Sequence, residues 1–166
     1  MINRLVSLID SVSIFFLRIS SILILIVILL LIPEVIFRYA FSSSMLFVHD
    51  LAAFCSGAMY LLGGAYTLQI KGHVNVDIIY TRFRSRTRAF LDLLTFPVIF
   101  AFCTILTIEG SKLFWDSFEV MESTVTPWGG PVWLFKLMLP IGAFLVLLQG
   151  IGEFIKNIII FMNKES

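Results

Sequence analysis

Charged residues are scarce in this sequence. Asp, Glu, Lys and Arg make up 14% of its 166 residues, whereas soluble domains contain roughly 25%. So few charges cannot cover a surface that faces water, and hydrophobic residues reach 59%. The sequence therefore predicts a protein whose solvent is lipid.

Metal-binding and nucleophilic side chains are also few. The two cysteines, Cys55 and Cys103, lie in separate apolar stretches without Cys-x-x-Cys spacing, which argues against a thiol-redox or zinc site. The two histidines, His49 and His73, fall at opposite membrane faces in the topology given below, so they cannot share a haem or a metal ion. No phosphate-binding loop, serine elbow or metalloprotease motif occurs. We expect no enzyme activity, no cofactor and no nucleic-acid partner.

Four long apolar stretches dominate what is present. A helix that spans a membrane needs about 20 mostly apolar residues, and backbone groups in lipid must bond within their own segment. The sequence therefore predicts an all-α integral membrane protein, with a single membrane domain over residues 1–166. The first span is interpreted as an uncleaved anchor because Pro33, Glu34 and Arg38 follow its apolar run. The four predicted spans cover residues 14–37, 51–70, 89–108 and 132–152.

The distribution of lysine and arginine predicts the orientation. Cytoplasmic loops carry an excess of these two residues. With a cytoplasmic N-terminus, nine of the twelve fall on the cytoplasmic side and three on the other. We therefore expect both termini in the cytoplasm. The nine are Arg4, Arg18, Lys71, Arg82, Arg84, Arg86, Arg88, Lys156 and Lys164, and the three are Arg38, Lys112 and Lys136.

Two amphipathic segments are candidates for helices that lie flat at the membrane surface. Apolar residues recur at helical spacing in residues 2–16 and 76–83, with polar residues between them. The alternative for each is a short loop followed by the start of the next span. Basic residues beside the second segment are candidate contacts for anionic lipid headgroups, namely Arg82, Arg84, Arg86 and Arg88.

An ion pair is expected at the end of the first span. Glu34 precedes Arg38 by four residues, which places both on one helix face. Asp50 opens the next span and can return to the same depth. We therefore expect Arg38 to be held by Glu34, by Asp50 or by both.

Small and polar residues on the second and fourth spans are candidates for helix packing. Ala53, Gly57 and Gly64 recur at a heptad-like spacing, and small residues allow another helix to approach closely. That helix can belong to this chain or to a partner. Gln149 and Glu153 form a polar ridge near the end of the fourth span, where a neighbouring helix or lipid headgroups can cover it.

The central parts of the spans contain no charge, which disfavours transport by this chain alone. Secondary transporters usually place polar or charged residues near the middle of the bilayer. A role that depends on a partner remains. The alternatives are a homo-oligomeric exporter or channel, which needs a deep carboxylate, and a membrane anchor of a redox complex, which needs paired intramembrane histidines. Neither feature occurs in this sequence.

Several short motifs, in order and spacing, resemble the DctQ-type small membrane subunit of tripartite ATP-independent periplasmic (TRAP) transporters. The likeness runs from about residue 34 to residue 149. One departure is the pair His49-Asp50, where the family often has two acidic residues. The motifs are Glu34-Val-Ile-Phe-Arg38-Tyr39, His49-Asp50, Leu62-Gly-Gly-Ala65, Lys71-Gly-His73-Val-Asn75-Val-Asp77, Glu122-Ser-Thr-Val-Thr-Pro127-Trp128, Pro131-Val-Trp133, Pro140-Ile-Gly142 and Leu147-Leu-Gln149.

The resemblance implies a multi-pass protein of the bacterial inner membrane that binds a large, DctM-like membrane subunit. That subunit holds the substrate and sodium sites, and a periplasmic binding protein delivers an organic acid. The small subunit would bind neither substrate nor sodium. Its expected role is a scaffold against which the transport domain of the large subunit moves.

Overall fold

The computed structural model describes residues 2–43, 45–70 and 85–162. It contains the helices α1 (Ile2–Phe41), α2 (Leu46–Gln69), α3 (Ser85–Glu119), α4 (Val132–Lys136) and α5 (Met138–Met162). Four segments are long and apolar enough to cross a membrane, at Val6–Phe41, Phe47–Gln69, Thr95–Glu119 and Val132–Ile159. The predicted all-α membrane fold with four spans is confirmed.

The first helix extends well beyond its apolar centre. α1 has 40 residues, which at 1.5 Å per residue gives a length of about 60 Å, twice the thickness of a hydrocarbon core. The segment 2–16, considered as a separate surface helix, instead continues α1 without a break. It packs against α5, so its amphipathic pattern reflects contact with a helix of the same chain. The second candidate surface helix, residues 76–83, lies outside the described residues.

The fourth span is interrupted near its start. α4 ends at Lys136 and α5 begins at Met138. Pro140 has no amide hydrogen to donate to the carbonyl of Lys136, four residues earlier, so the ladder of hydrogen bonds is weakened there. The amide of Leu137 still donates to the carbonyl of Trp133 at 3.1 Å. The two pieces therefore act as one span with a local irregularity.

α5 is the central helix of the described bundle. It packs against α1, α2 and α3, while α1 also packs against α2. Leu62, Ala65 and Leu145 form the buried core between α2 and α5. The closest approach is at Gly142, where an added Cβ would lie 2.8 Å from both the Cβ and the carbonyl oxygen of Leu61. The absence of a side chain at Gly142 is what lets the two helices come together.

The bundle has two ends that differ in their polar groups. α1 begins and α2 and α5 end at one of them, which we call the terminal end. At the other, which we call the hairpin end, α1 joins α2 and the segment 120–131 joins α3 to α4. Between these ends, no charged residue occurs in 19–33, 51–70, 93–108 or 137–152.

Candidate functional site

A buried polar network joins α1 to α5 at the terminal end. We call it the terminal cluster, and it consists of Asp10, Ser13, Gln149, Glu153 and Lys156. The hydroxyl of Ser13 donates to Gln149 Oε1 at 2.6 Å, and Gln149 Nε2 donates to Asp10 Oδ1 at 2.9 Å. Lys156 Nζ donates to Asp10 Oδ1 at 2.9 Å and to Glu153 Oε1 at 2.6 Å. The Gln149 side chain is fully buried.

Helical spacing creates the terminal cluster. Gln149, Glu153 and Lys156 follow one another at intervals of four and three residues and so share one face of α5. Asp10 and Ser13 are three residues apart on α1 and face them. The sequence predicts the polar ridge of Gln149 and Glu153 but not its partners on α1. Asp10 and Ser13 could have been found as two polar residues at helical spacing within an apolar segment.

A second cluster lies at the hairpin end, between α1 and α2. We call it the hairpin cluster, and it consists of Glu34, Arg38 and His49. Arg38 donates to Glu34 Oε1 through Nε at 3.1 Å and through Nη2 at 2.6 Å. Arg38 Nη2 also lies 2.8 Å from His49 Nε2. Arginine has no acceptor atom, so Nε2 of His49 is the acceptor in this contact. His49 Nδ1 lies 3.8 Å from Glu34 Oε1.

Burial makes the hairpin cluster more than a surface pair. The side chain of Glu34 is only 2% exposed, whereas those of Arg38 and His49 are 45% and 49% exposed. A buried carboxylate needs hydrogen bonds or a counter-charge, and Arg38 supplies both. Of the alternatives that the sequence left open, the structure pairs Arg38 with Glu34, whereas Asp50 accepts a hydrogen bond from Thr126.

Asp50 instead fixes the segment that joins α3 to α4. Its Oδ2 accepts a short hydrogen bond from the hydroxyl of Thr126. Thr126 Oγ1 lies 2.8 Å from Thr124 Oγ1, which in turn accepts from the amide of Gly130 at 2.9 Å. Asp50 thereby connects the start of α2 to residues 76 positions later in the chain.

A second ion pair holds the two ends of the same segment. Glu122 Oε2 accepts a hydrogen bond from Ser117 at 2.6 Å and a short one from Lys136. The Lys136 ammonium, and next the Ser117 hydroxyl, lower the pKa of Glu122 below its ordinary value of 4.5. The backbone adds a hydrogen bond of 2.9 Å from the amide of Val132 to the carbonyl of Glu122. The segment is therefore an ordered hairpin.

The small residues of α2 divide between two environments. An added Cβ at Gly64 would lie 3.3 Å from Val146 Cγ2, so Gly64 packs against α5. An added Cβ at Gly57 would meet nothing within 4 Å, and Ala53 is exposed. Gly57 and Ala53 share a face with Tyr60, which is 74% exposed. Within the described chain, this face of α2 has no covering helix.

The predicted lipid contacts fall in a part of the chain with little structural description. Arg82 and Arg84 lie outside the described residues. The backbone of Arg86 and Arg88 belongs to the first turn of α3. The contact of these arginines with lipid headgroups therefore stays a prediction.

The polar side chains of the described residues bond mainly to one another. No group of three or more His, Cys, Asp or Glu side chains that could hold a metal ion occurs among them. The polar clusters lie at the two ends of the bundle, and their side chains are bonded to one another. These features tie helices together, while exposed apolar side chains cover much of α1, including Leu25 and Leu29, which are 60% and 71% exposed.

Comparison with known proteins identifies the family of the chain. The family model of the tripartite ATP-independent periplasmic transporters, DctQ component, matches residues 25–159. Comparisons with curated proteins and with solved structures gave no match. The matched region begins within α1 and reaches almost to the end of α5, so it includes the second half of the first span and the whole of the other three. The chain therefore belongs to the DctQ family, the small membrane component of TRAP transporters.

Proposed function

We propose that this chain is the scaffold subunit of a sodium-coupled TRAP importer of an organic acid. In this proposal it binds a large, DctM-like membrane subunit that contains the substrate and sodium sites. A periplasmic binding protein delivers the substrate to the assembly. The chain resides in the inner membrane with both termini in the cytoplasm, and it takes part in transport without binding the substrate.

The observation that carries this proposal is the uncharged stretch within each span, at residues 19–33, 51–69, 95–108 and 137–152. A sodium or carboxylate site needs oxygen ligands or counter-charges at the depth where the ion is held. Charged side chains of the described residues bond to one another in the terminal cluster at one end of the bundle and in the hairpin cluster at the other. A stationary support for a moving domain requires no such ligands, and packed apolar helices provide it.

The exposed face of α2 is the proposed contact surface for the large subunit. Its members recur at intervals of three or four residues and include two small residues, Ala53 and Gly57. Close contact between helices in lipid depends on such small residues, because apolar side chains gain little by leaving lipid tails. We call this face the α2 stripe, and it comprises Ala53, Gly57 and Tyr60.

Co-purification of a tagged chain with its large subunit tests this contact. Gly57→Leu fills the space beside the α2 stripe, where an added Cβ meets no atom of this chain. We expect it to reduce the recovered large subunit by about tenfold, the effect of roughly 1.4 kcal/mol, without lowering the thermal stability of the isolated chain. Ala101→Leu, at an exposed position of α3, is the matched control and should leave recovery unchanged.

Two results would contradict the proposal at different levels. Equal recovery with both variants would show that the α2 stripe is not the contact surface. Saturable, sodium-dependent uptake of an organic acid by liposomes that contain this chain and a binding protein, but no large subunit, would show that the chain is itself the transporter.

A further inference from the structure

A cleft opens at the terminal end, between the beginning of α1 and the ends of α2 and α5. Its volume is about 450 Å³, which lies within the range of small-molecule sites. The walls combine apolar and polar side chains. Its polar side chains include Asp10, Ser11, Gln69 and Lys156, and Ile14 and Ile159 supply apolar surface. The cleft adjoins the terminal cluster and shares Asp10 and Lys156 with it.

Three of the residues that line this cleft carry acceptor atoms. Gln69 Oε1 is buried without a hydrogen-bond partner, a condition that costs about 1–3 kcal/mol unless a ligand or water relieves it. Ser11 donates its hydroxyl hydrogen to the carbonyl of Ser7 at 2.8 Å, so its oxygen lone pairs remain available to accept. The third is the carboxylate of Asp10, which is 25% exposed.

One donor faces these acceptors. Lys156 Nζ has three hydrogens, and two of them bond to Asp10 and Glu153. The third remains for a ligand oxygen. The two carboxylates exceed the single ammonium by one negative charge. A ligand that fits must therefore bring a cation with several hydrogen-bond donors and, beside it, an anionic oxygen.

The position of the cleft restricts the ligand further. Its lining residues occur within the first turns of the Val6–Phe41 span and the last turns of the Phe47–Gln69 and Val132–Ile159 spans. This is the depth of lipid headgroups, and the exposed apolar surface of α1 continues from Ile14 towards the middle of the bilayer. A primary ammonium beside a phosphate, with acyl chains attached, is the chemistry of a phosphoethanolamine lipid.

We propose that this cleft binds the headgroup of one phosphatidylethanolamine molecule. The ammonium donates to the acceptors from Asp10, Gln69 and Ser11, and the phosphate accepts from Lys156. Phosphatidylcholine fits less well because its quaternary ammonium has no hydrogen to donate. Phosphatidylglycerol fits less well because it brings no cation to the excess carboxylate.

Native mass spectrometry of the full chain, released from detergent with one lipid at a time, tests the assignment. Phosphatidylethanolamine, phosphatidylcholine and phosphatidylglycerol with identical acyl chains are compared. We expect one molecule of phosphatidylethanolamine to be retained with about tenfold higher affinity than either other lipid, as follows from a lost hydrogen bond to a charged group. Equal retention of the three lipids would mean that only annular lipid binds, and it would overturn the proposal. A preference for phosphatidylcholine or phosphatidylglycerol would overturn it as well.

The variant Gln69→Leu separates binding from folding. It removes the unpaired acceptor, so the preference for phosphatidylethanolamine should fall by about tenfold while the thermal stability of the lipid-free chain stays the same or rises. Thr67→Val is the matched control on the same helix. Its hydroxyl bonds within α2, to the carbonyl of Gly63 at 3.1 Å, and it should retain the lipid as the wild type does. An unchanged preference in Gln69→Leu would refute the assignment.

Discussion

Arg38 shows how one residue can hold a buried charge at the edge of a membrane. Glu34 is almost completely buried, and its Oε1 accepts two hydrogen bonds from Arg38. Arg38 remains half exposed and also reaches His49 across the gap between α1 and α2. The arginine therefore neutralises a carboxylate on its own helix and links that helix to the next.

Replacing Arg38 by Ala should destabilise the chain by about 2 to 3 kcal/mol, because it leaves Glu34 buried without a counter-charge. The loss should be much smaller when Glu34 is already replaced by Gln. A double-mutant cycle on thermal unfolding in detergent measures this coupling.

The control for this cycle pairs Arg38→Ala with Asp50→Asn. Asp50 bonds to Thr126, so the two losses should add within about 0.5 kcal/mol. Coupling of Arg38 to Asp50 in place of Glu34 would contradict the observed hairpin cluster.

At the scale of the helices, the sequence predicts that each span exists better than it predicts where the helix ends or which of its faces packs against its neighbours. The four spans are predictable because a bilayer requires about 20 apolar residues whose backbone bonds are local. The ends of the helices are not predictable from the sequence. α1, for example, continues through residues 2–16, because the polar residues of that segment pack against α5. Rotation is also unpredictable: His49 and Asp50 are adjacent and about 100° apart on a helix, so only one can face Arg38. Packing across the whole bundle determines which one does.

The contact between α2 and α5 gives a prediction at this scale. Gly142→Ala places a methyl group 2.8 Å from atoms of Leu61, which should force the helices apart and cost about 1–3 kcal/mol. Gly57→Ala is the matched control because the added methyl meets nothing in this chain. It should be neutral or should stabilise by up to about 1 kcal/mol through helix propensity. Thermal unfolding of the two variants in detergent provides the comparison, and equal effects would mean that α2 and α5 are not in close contact at Gly142.

The hairpin between α3 and α4 should respond to acid. The pKa of Glu122 is lower in the folded chain than its ordinary value of 4.5, so the unfolded state binds its proton first as the pH falls. The stabilising contribution of Glu122 is therefore complete above pH 4.5 and is lost as the pH falls through the lower, folded-state pKa. Glu122→Gln should remove this part of the loss of thermal stability as the pH falls below about 4.5. A variant with the same pH profile as the wild type would show that the Glu122–Lys136 pair does not contribute.

On the scale of the whole molecule, the structure and the distribution of lysine and arginine together predict one orientation. Nine of the twelve lysines and arginines fall on the side of the N-terminus, if the four spans are threaded in order. In the structure, α1 begins beside the end of α5, where Asp10 bonds to Lys156. The two termini of the bundle therefore share a side, which four spans require. The charge bias then predicts which side it is, since loops rich in lysine and arginine stay in the cytoplasm.

Accessibility of single cysteines tests this orientation. In a background with Cys55→Ala and Cys103→Ser, Val125→Cys places a thiol in the hairpin, where Val125 is fully exposed. It should react in intact cells with a charged maleimide that does not cross the inner membrane. Arg4→Cys, at the beginning of α1, should react only after the cells are lysed. Labelling of both positions from the same side would contradict the number of spans, and the reverse pattern would mean that the bundle is inserted with its termini in the periplasm.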